Sequence, residues 1–287
     1  MNIAFIGLGV MGYPMAGYQQ TQGHNVCVYN RTLVKAQQWS EEHNGAYART
    51  PAEASNGADI AMVCVGDDND VRSVIDGEEG VLAGLRPGTM IVDHTTTSYQ
   101  LAKALSEKCQ NKGVHFMDAP VSGGQAGAEG GILAVMAGGS EENLQYAKPA
   151  IEAYAQSITL MGPVGAGQAT KMVNQILIAG ILQGISEGFT LAQQLDLDLP
   201  KVLNAISAGA AGSWQLSNRG LSIDKDSFDD GFAIDWMVKD LGFCLNAARD
   251  AGIALPNTQF VSDRYKELQQ KGYNRCDTSV LIKQYDK

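Results

Sequence analysis

The sequence is poor in cysteine and histidine, and neither residue type forms a pattern. Its five cysteines are scattered and include no C-x-x-C pair, so neither a disulfide framework nor a zinc site is indicated. The four histidines are also far apart and lack the spacing of metal ligands. We therefore predict no metal site.

Positive charge and long apolar runs are scarce as well. The chain has 21 Lys and Arg against 31 Asp and Glu, a formal net charge of −10. A nucleic-acid partner needs a basic patch, so we predict none, although a locally positive site for an anionic substrate remains compatible. The most apolar window, residues 176–185, is interrupted by glutamines and is too short to span a bilayer. The N-terminus lacks the basic region followed by an apolar stretch that is typical of a signal peptide. We therefore predict no membrane partner and a cytoplasmic location.

What the chain does have is length and a change of pattern near residue 161. Its 287 residues, 45% of them hydrophobic, suffice for two domains. Short apolar runs alternate with helical stretches up to residue 161, which indicates a parallel sheet covered on both faces. After the glycine-rich stretch 162–167, helical stretches dominate. We predict an α/β fold, with an N-terminal Rossmann-type doubly wound parallel sheet in a first domain, residues 1–161. An all-helical domain, residues 162–287, follows it.

The apolar runs and helical periods also predict individual elements. Strands are predicted at 3–6, 26–29, 60–65, 90–92, 115–117, 133–137 and 157–160. Helices are predicted at 14–20, 35–43, 51–55, 69–75, 99–111, 141–154, 168–195, 200–207, 234–251 and 257–272. In the longest helix Gly180, Gly184 and Gly188 recur every four residues. This spacing predicts a flat face that another helix can approach, unless it is a coincidence in a glycine-rich chain.

A glycine-rich turn directly follows the first predicted strand. The turn is Gly7, Leu8, Gly9, Val10, Met11 and Gly12, which is G-x-G-x-x-G between a strand and a helix. In such a turn the first glycine permits the bend, the second lets the backbone approach a pyrophosphate, and the third lets the helix pack close to the strand. The context therefore predicts a dinucleotide site. The alternative is a glycine-rich turn without a ligand.

The end of the second strand bears on the choice of cofactor. An NAD-binding unit usually has an acidic residue here, for the ribose 2′-hydroxyl, whereas this chain has Asn30, Arg31 and Thr32. Arg31 can bind a 2′-phosphate through its planar guanidinium, with Asn30 and Thr32 as neutral donors. We therefore predict NADP(H) in preference to NAD(H), and residues 1–161 as an NADP-binding domain. The alternative is that Arg31 is solvated and Asn30 caps the next helix.

Two further strand ends are predicted to face the cofactor. Val65 and Gly66 follow one strand and can cover the cofactor. The acids Asp67-Asp68 are predicted to cap the next helix. Thr95 and Thr96 follow another strand, and we expect them to line the nicotinamide pocket.

The segment 118–124 follows a predicted strand at the edge where ligands bind in open α/β sheets. Ser122 offers a hydroxyl group, and Gly123 and Gly124 offer unobstructed backbone N–H groups. Together they outline a pocket for a carboxylate. A plain turn explains the glycines equally well.

Lys171 and Asn174 lie three residues apart near the start of the long helix, so they share one face of it. A lysine in a cleft can protonate a carbonyl oxygen as hydride arrives, or accept the alcohol proton in reverse. Asn174 could orient it, and Gln175 is also within reach. The alternative, which the spacing alone favours, is a solvated lysine.

A third cluster combines Trp214 with Lys239 and Asp240. Trp214 follows the flexible stretch 209–212 and could form a wall of the substrate pocket, while Lys239 could reach the cofactor with Asp240 beside it. The alternative is a core tryptophan and a surface ion pair.

Four segments in this order resemble the motifs of the β-hydroxyacid dehydrogenase family, which includes 3-hydroxyisobutyrate dehydrogenases and tartronate semialdehyde reductases. They are 7–12 with Pro14-Met15-Ala16, 118–124 with Gly127-Ala128 and Gly131, the pattern from Gly162 through Lys171 to Asn174, and Lys239-Asp240-Leu241. The match covers nearly the whole chain. Many members have two asparagines after the lysine, or one four residues on. Here Gln175 follows Asn174, so either residue can be the polar partner of Lys171.

The resemblance implies a Rossmann domain joined to a helical domain, often assembled as a homodimer or homotetramer. We therefore predict that the helical domain, residues 162–287, serves substrate binding and oligomerisation. The resemblance implies Lys171 as catalytic acid and base and the segment from Ser122 to Gly124 as the binder of the substrate carboxylate. It also implies that Thr96 and Lys239 lie near the cofactor.

We therefore expect an NADPH-dependent reductase of small carboxylate-bearing semialdehydes, which in reverse is a 3-hydroxyacid dehydrogenase. A second reading with the same site is oxidation of L-serine or 3-hydroxypropionate. A reading of another class is a non-catalytic NADP(H)-binding sensor or scaffold.

Overall fold

The structure, a computed structural model, describes residues 1–229 and 231–286. The chain divides into two compact units, Met1–Lys171 and the part from Met172 onward. This division falls ten residues after the predicted one at 161/162, inside the long helix. The predicted boundary and the roles given to the two domains stay predictions.

The first unit is built on a mainly parallel sheet. Its strands are β1 Asn2–Ile6, β2 Asn25–Tyr29, β3 Ala46–Tyr47, β4 Ile60–Val63, β5 Met90–Asp93, β6 His115–Asp118, β7 Val121–Ser122, β8 Leu133–Gly138 and β9 Ala155–Gly162. In the described residues their order is β3-β2-β1-β4-β5-β6-β8-β7, with β9 paired to β8. The α/β Rossmann-type fold is therefore confirmed. The sheet departs from the parallel arrangement at one edge, where β8 runs antiparallel to β6 and β7.

Helices lie between and after the strands. They are α1 Gly12–Thr21, α2 Leu33–His43, α3 Pro51–Ser55, α4 Asp68–Asp76, α5 Val81–Gly84, α6 Tyr99–Asn111, α7 Gly124–Glu129, α8 Glu141–Ile151, α9 Ala166–Gln194, α10 Leu199–Ile206, α11 Trp214–Asp224, α12 Ile234–Asp250 and α13 Pro256–Gln270, with a 3₁₀ helix at Thr278–Tyr285. The elements missing from the sequence prediction are β3, β7, α5, α7, α11 and the 3₁₀ helix. Most of these are too short for a period to be recognised.

The sheet is buried on both faces, as a parallel sheet requires. Alternate residues of β1 show this directly. Ile3 and Phe5 belong to one apolar cluster with Trp39 and Tyr154, whereas Ala4 and Ile6 belong to a second cluster on the other face. The strands are thereby fixed, and their carboxyl ends form a defined edge.

The second unit is helical, and α9 provides its longest element. Leu182, Phe189, Met237 and Tyr265 lie in its core. Among the described residues, α9 is the one helix long and apolar enough to cross a bilayer by length and composition, with mean hydropathy 1.3 over its best window, of which 44% is buried in the protein. The apolar window 176–185 covers only part of this helix, and the absence of a membrane partner stays a prediction. Core helices of water-soluble proteins pass the same test.

Candidate cofactor and substrate site

The three glycines of the first turn meet three different surroundings. A Cβ on Gly7, whose φ is +101°, would overlap the carbonyl oxygen of Cys64, and a Cβ on Gly12 would overlap that of Gly7. A Cβ on Gly9 would have no atom within 4 Å. Gly7 and Gly12 are therefore required by packing, whereas the space over Gly9 is open. These are the surroundings that a bound pyrophosphate needs at the start of α1.

The residues after β2 are placed differently from one another. Asn30 accepts a hydrogen bond at Oδ1 from the backbone N–H of Leu8 (3.0 Å) and donates from Nδ2 to the carbonyl of Thr32 (3.1 Å). Its amide thus holds the glycine turn in place. Thr32, not Asn30, occupies the N-cap position of α2. Arg31 is 87% exposed at its side chain and lies 3.4 Å from Asp70 Oδ1, so its guanidinium can turn to another anion at little cost.

The loops after β4 and β5 are joined by one hydrogen bond. The backbone N–H of Val65 donates to Oγ1 of Thr95 (3.0 Å), and Thr95 is buried, while Thr96 is half-buried. The hydroxyl of Thr95 therefore connects the two loops. Thr96 is the more accessible of the two threonines predicted to face the cofactor. Gly66, which follows Val65, is also half-buried.

The acids after Gly66 were predicted to cap the next helix. Asp67 does so, because its Oδ1 accepts from Asn69 N and Asp70 N at the start of α4. The prediction is wrong for Asp68. Its carboxylate instead accepts hydrogen bonds from the backbone N–H and hydroxyl of Ser98, at the start of α6.

The segment proposed for the substrate carboxylate ends β7 and begins α7. Ser122 is half-buried, and Gly123 and Gly124 have φ values of +134° and +61°. The value at Gly123 is essentially restricted to glycine, and that at Gly124 lies in the left-handed region that glycine adopts most readily. The backbone conformation therefore accounts for glycine at both positions, whether or not a ligand binds there. The role of these glycines in substrate binding stays a prediction.

Asp118, at the end of β6, holds the start of α9. Its Oδ1 accepts from the backbone N–H of Gly165 (2.7 Å) and its Oδ2 from that of Gln168 (2.8 Å). A Cβ on Gly167 would come 2.8 Å from the same carboxylate, which explains the glycine. Burial raises the pKa of Asp118, and the N–H groups oppose that rise because they stabilise the charged form.

Gln168 makes a second connection from the same turn of α9. This fully buried side chain donates from Nε2 to the carbonyl of Thr95 (2.7 Å) and accepts at Oε1 from the backbone N–H of Thr97 (3.0 Å). Lys171 lies three residues further on, on the same side of the helix. It is only 8% exposed, so the alternative of a solvated lysine is wrong.

The second unit brings four predicted residues into one polar chain. Asn174 Nδ2 donates to Gln175 Oε1 (2.7 Å), and Gln175 Nε2 donates to Asp240 Oδ2 (2.7 Å). Asp240 Oδ1 lies 3.3 Å from Lys239 Nζ. The Gln175 amide therefore bonds at both its oxygen and its nitrogen within this hydrogen-bonded series, and Asn174 is the terminal member of the series. Asp240 is buried and Lys239 mostly buried, so the alternative of a surface ion pair is wrong.

Trp214 lies on α11, a different helix from those that carry the polar chain. It begins α11, is 56% exposed, and has the guanidinium of Arg219 5.4 Å from its ring centroid. The alternative of a core tryptophan is wrong, and its position in a pocket wall stays a prediction.

Sequence reasoning missed a buried pair behind the β5 and β6 loops. His94 shares a hydrogen bond at Nδ1 with the carbonyl of Ala119 (2.7 Å), and Tyr154 OH lies 2.7 Å from His94 Nε2. Burial lowers the pKa of His94 to about 4, so its imidazole is neutral, donating at Nδ1 and accepting at Nε2. Beside it, Asp93 accepts from Thr95 N (2.9 Å), and burial raises the pKa of Asp93 to about 7. In the sequence, only the position of Asp93 and His94 at the end of β5 could have indicated these two residues.

Among the described residues, no group of three or more His, Cys, Asp and Glu is arranged to hold a metal ion.

Comparison with known proteins identifies the class to which this site belongs. Residues 2–162 match the model for the NAD binding domain of 6-phosphogluconate dehydrogenase. Residues 165–285 match the model described as NAD-binding of NADP-dependent 3-hydroxyisobutyrate dehydrogenase.

Three individual proteins show the same relationship. A protein of Shewanella frigidimarina named as an uncharacterized oxidoreductase is 50% identical, over 100% of this chain and 98% of the relative. The 2-hydroxy-3-oxopropionate reductase of Escherichia coli is 33% identical, over 98% of both chains. A structure of Mycobacterium tuberculosis 3-hydroxyisobutyrate dehydrogenase with L-serine is 31% identical with a TM-score of 0.90, over 100% of this chain and 99% of that one.

The chain belongs to the β-hydroxyacid dehydrogenase family. It is a pyridine-nucleotide-dependent oxidoreductase of the 3-hydroxyacid dehydrogenase type, acting on CH–OH donors. The resemblance seen in the sequence is thus confirmed, and the reading as a non-catalytic sensor loses its support.

Proposed function

We propose that the protein reduces small carboxylate-bearing semialdehydes with NADPH, and in reverse oxidises the corresponding 3-hydroxyacids. The observation that carries this proposal is the buried Lys171 at the start of α9. The turn before it is hydrogen-bonded both to Asp118, four residues before Ser122, and to the backbone of Thr95 and Thr97. One short stretch of helix thus positions an amine relative to both loops.

The chain's residues fit a dinucleotide at the first turn. The open space over Gly9 and the N-terminus of α1 would hold the pyrophosphate, and Arg31 would hold a 2′-phosphate. The bound nicotinamide would supply hydride to a carbonyl carbon or accept it from an alcohol. Val65, Gly66 and Thr96 would cover this cofactor.

Lys171 would donate a proton to the carbonyl oxygen as that oxygen gains charge, and would take the proton back in the oxidative direction. Burial keeps competing water away from the amine. Asn174 would orient the reacting oxygen, because it stands at the end of the polar chain whose middle member is Gln175. Gln175 and Asp240 would hold Asn174 in position, and Lys239 would lie near the cofactor.

The substrate carboxylate would bind to Ser122 and to the N–H groups of Gly123 and Gly124, and Trp214 would form part of the pocket wall. Holding the acid end fixes which face of the carbonyl meets the hydride donor. L-serine is a second candidate substrate, since the similar Mycobacterium tuberculosis structure is described with L-serine. We also propose a cytoplasmic location and a homodimer or homotetramer.

The direct test is the variant Lys171→Met, with Lys201→Met as the control on an 84% exposed helix lysine. We expect kcat of Lys171→Met to fall about 10²- to 10⁴-fold, because proton transfer by a positioned side chain contributes that much. Dissociation constants for the cofactor, measured by fluorescence titration, should stay unchanged. Near-normal kcat in a folded Lys171→Met protein would refute the assigned role.

Cofactor preference is tested with Arg31→Asp, using Arg49→Asp as an exposed control. Losing a charge-assisted hydrogen bond worth about 1.5–3 kcal/mol should raise KM for NADPH about 10- to 150-fold, with a smaller effect on KM for NADH. An unchanged ratio of the two constants would contradict the preference for NADP(H).

A further inference from the structure

The backbone ladder between β5 and β6 gives way to side chains where these two strands end. The strands are parallel and pair in register as far as Asp93 and Asp118, after which Ala119 N donates to the carbonyl of Asp93 (2.7 Å). In a regular parallel ladder the next bond would run from Thr95 N to the carbonyl of Ala119. Thr95 N donates instead to Oδ1 of Asp93 (2.9 Å). The two strands can therefore diverge here, at the edge where ligands bind in open α/β sheets.

The imidazole of His94 takes the place of the ladder donor. Its Nδ1 lies 2.7 Å from the carbonyl oxygen of Ala119. A carbonyl oxygen only accepts, so Nδ1 carries the proton and Nε2 of the neutral ring is an acceptor. The hydroxyl of Tyr154, 2.7 Å from Nε2, therefore donates to it. Each nitrogen of the ring has one partner of the matching kind, and burial keeps the ring neutral because it lowers the pKa of His94 to about 4.

The histidine and the tyrosine are themselves held firmly. His94 is 2% exposed and Tyr154 is 0% exposed, and their rings meet edge to face with centroids 5.5 Å apart. The backbone N–H of His94 donates to the carbonyl of Val63 at the end of β4 (2.8 Å). The carbonyl of Tyr154 accepts from Leu133 N at the start of β8 (3.1 Å). The imidazole is thus anchored from two sides, and it in turn anchors Ala119.

The bond from His94 to Ala119 connects two loops that receive different ligands in the proposed function. Residues 94–97, which we call the cofactor loop, include Thr96. Residues 119–124, which we call the substrate loop, run from Ala119 to the carboxylate-binding segment that begins at Ser122. The bond therefore fixes one loop relative to the other. A displacement of about 1 Å between reacting groups can cost about 10²-fold in rate, so this distance matters for hydride transfer.

We propose that His94, oriented by Tyr154, is a positioning residue that sets the distance between the cofactor loop and the substrate loop. This inference rests on the proposed function, because that function gives the two loops their ligands. The imidazole takes no part in proton transfer, since both its nitrogens are used in hydrogen bonds inside the protein. A pair that served stability alone would change the amount of folded protein and leave the turnover of the folded molecules unchanged.

Amide hydrogen exchange of the full-length protein tests the link between the loops without relying on turnover. His94→Leu removes the donor to Ala119, so exchange in both loops should become about 10-fold faster or more, while β1 and α1 keep their protection. The control His115→Leu changes an exposed histidine at the other end of β6 and should leave both loops unchanged. Unchanged exchange in the substrate loop of His94→Leu, or an equal increase throughout the first unit, would overturn the proposal.

Turnover per folded molecule is the second measurement. With NADPH and tartronate semialdehyde, kcat of His94→Leu should fall about 10- to 100-fold, while the dissociation constant for NADPH stays unchanged. His94→Asn should recover much of this loss, because its Nδ2 is bonded to Cγ as the imidazole Nδ1 is and can donate to Ala119. An undiminished kcat in His94→Leu, or a kcat of His94→Asn no higher than that of His94→Leu, would refute the positioning role.

A smaller change covers the case in which leucine at this buried site prevents folding. Tyr154→Phe keeps the ring and removes only the hydroxyl that orients His94, so kcat should fall about 3- to 10-fold. Wild-type kcat and wild-type exchange in this variant would also overturn the proposal. The proposed function fails separately. If the wild type reduced no semialdehyde, or if Lys171→Met kept its turnover, the exchange pattern of His94→Leu would still decide whether the two loops are linked.

Discussion

The two ends of α9 are stabilised in opposite ways. Its first turn is fixed by directed hydrogen bonds, from the N–H of Gly165 and Gln168 to Asp118 and from the Gln168 amide to the backbone of Thr95 and Thr97. From Leu177 to Leu191 the same helix relies on apolar burial along one side and leaves these two leucines exposed on the other. The position of Lys171 therefore depends on a few polar atoms, whereas the rest of the helix depends on summed apolar area.

This difference has consequences for substitution. A buried hydrogen-bonding group that loses its partner costs about 1–3 kcal/mol, so single changes at the polar end should affect stability and rate strongly. Changes on an exposed apolar face usually alter stability by less than about 0.5 kcal/mol, so substitutions at Leu177 or Leu191 should have little effect on folding.

The largest effect is expected for Asp118→Ala. Alanine leaves the buried N–H groups of Gly165 and Gln168 without their acceptor, so the free energy of unfolding should fall by about 2–5 kcal/mol. Denaturant unfolding measures this change. Asp263→Ala, at an exposed carboxylate, should cost far less. An equal cost at both positions would mean that Asp118 does not fix the start of α9.

A smaller effect on stability but a specific effect on rate is expected for Gln168→Leu. This variant removes the hydrogen bonds to Thr95 and Thr97 while keeping the side-chain volume similar. Because Gln168 acts as a positioning residue for Lys171, kcat should fall about 10- to 100-fold, with little change in KM for the substrate. Gln168→Glu keeps the acceptor for Thr97 N and should recover part of the rate. A change confined to KM, or no recovery, would contradict the positioning role.

The same contrast explains how much could be read from the sequence. Long periodic elements such as α6 and α9 were predicted to within about two residues, since their pattern is local. The two-residue strand β7 and the antiparallel edge beside it were missed, because pairing with β8 depends on distant chain segments.

In the site, the glycine turn and Lys171 could be found because their spacing along the chain carries the signal. The partners of Gln168 are more than 70 residues away in the sequence, and those of Asp118 about 50. His94 and Tyr154 are 60 residues apart. Hydrogen bonds at such separations follow from the packed sheet, so no local pattern announces them.

The smallest and most pH-dependent effect is expected for Asp93→Asn, next to the loop that Gln168 holds. Burial raises the pKa of Asp93 from 3.8 to about 7, so between these values the folded state keeps a proton that the unfolded chain has released. That group therefore lowers stability as pH rises from about 4 to about 7. His94 has the opposite effect between about pH 4 and 6.5, because its pKa in the folded state is lowered to about 4. Asparagine keeps an acceptor for Thr95 N and cannot ionise. It therefore removes only the loss of stability with rising pH that Asp93 causes.

The free energy of unfolding of Asp93→Asn, relative to wild type, should therefore increase by about 1–2 kcal/mol between about pH 5.5 and about pH 7, since each pH unit over which only the folded carboxyl keeps its proton corresponds to about 1.4 kcal/mol. Urea titrations at the two pH values measure it, with Asp263→Asn as the exposed control. Wild-type and Asp93→Asn curves that stay parallel across this range would mean that Asp93 titrates normally and that the polar end of α9 lies in a wetter environment than its burial indicates. The rate loss expected for Gln168→Leu should then shrink as well, because unpaired groups in contact with water cost little.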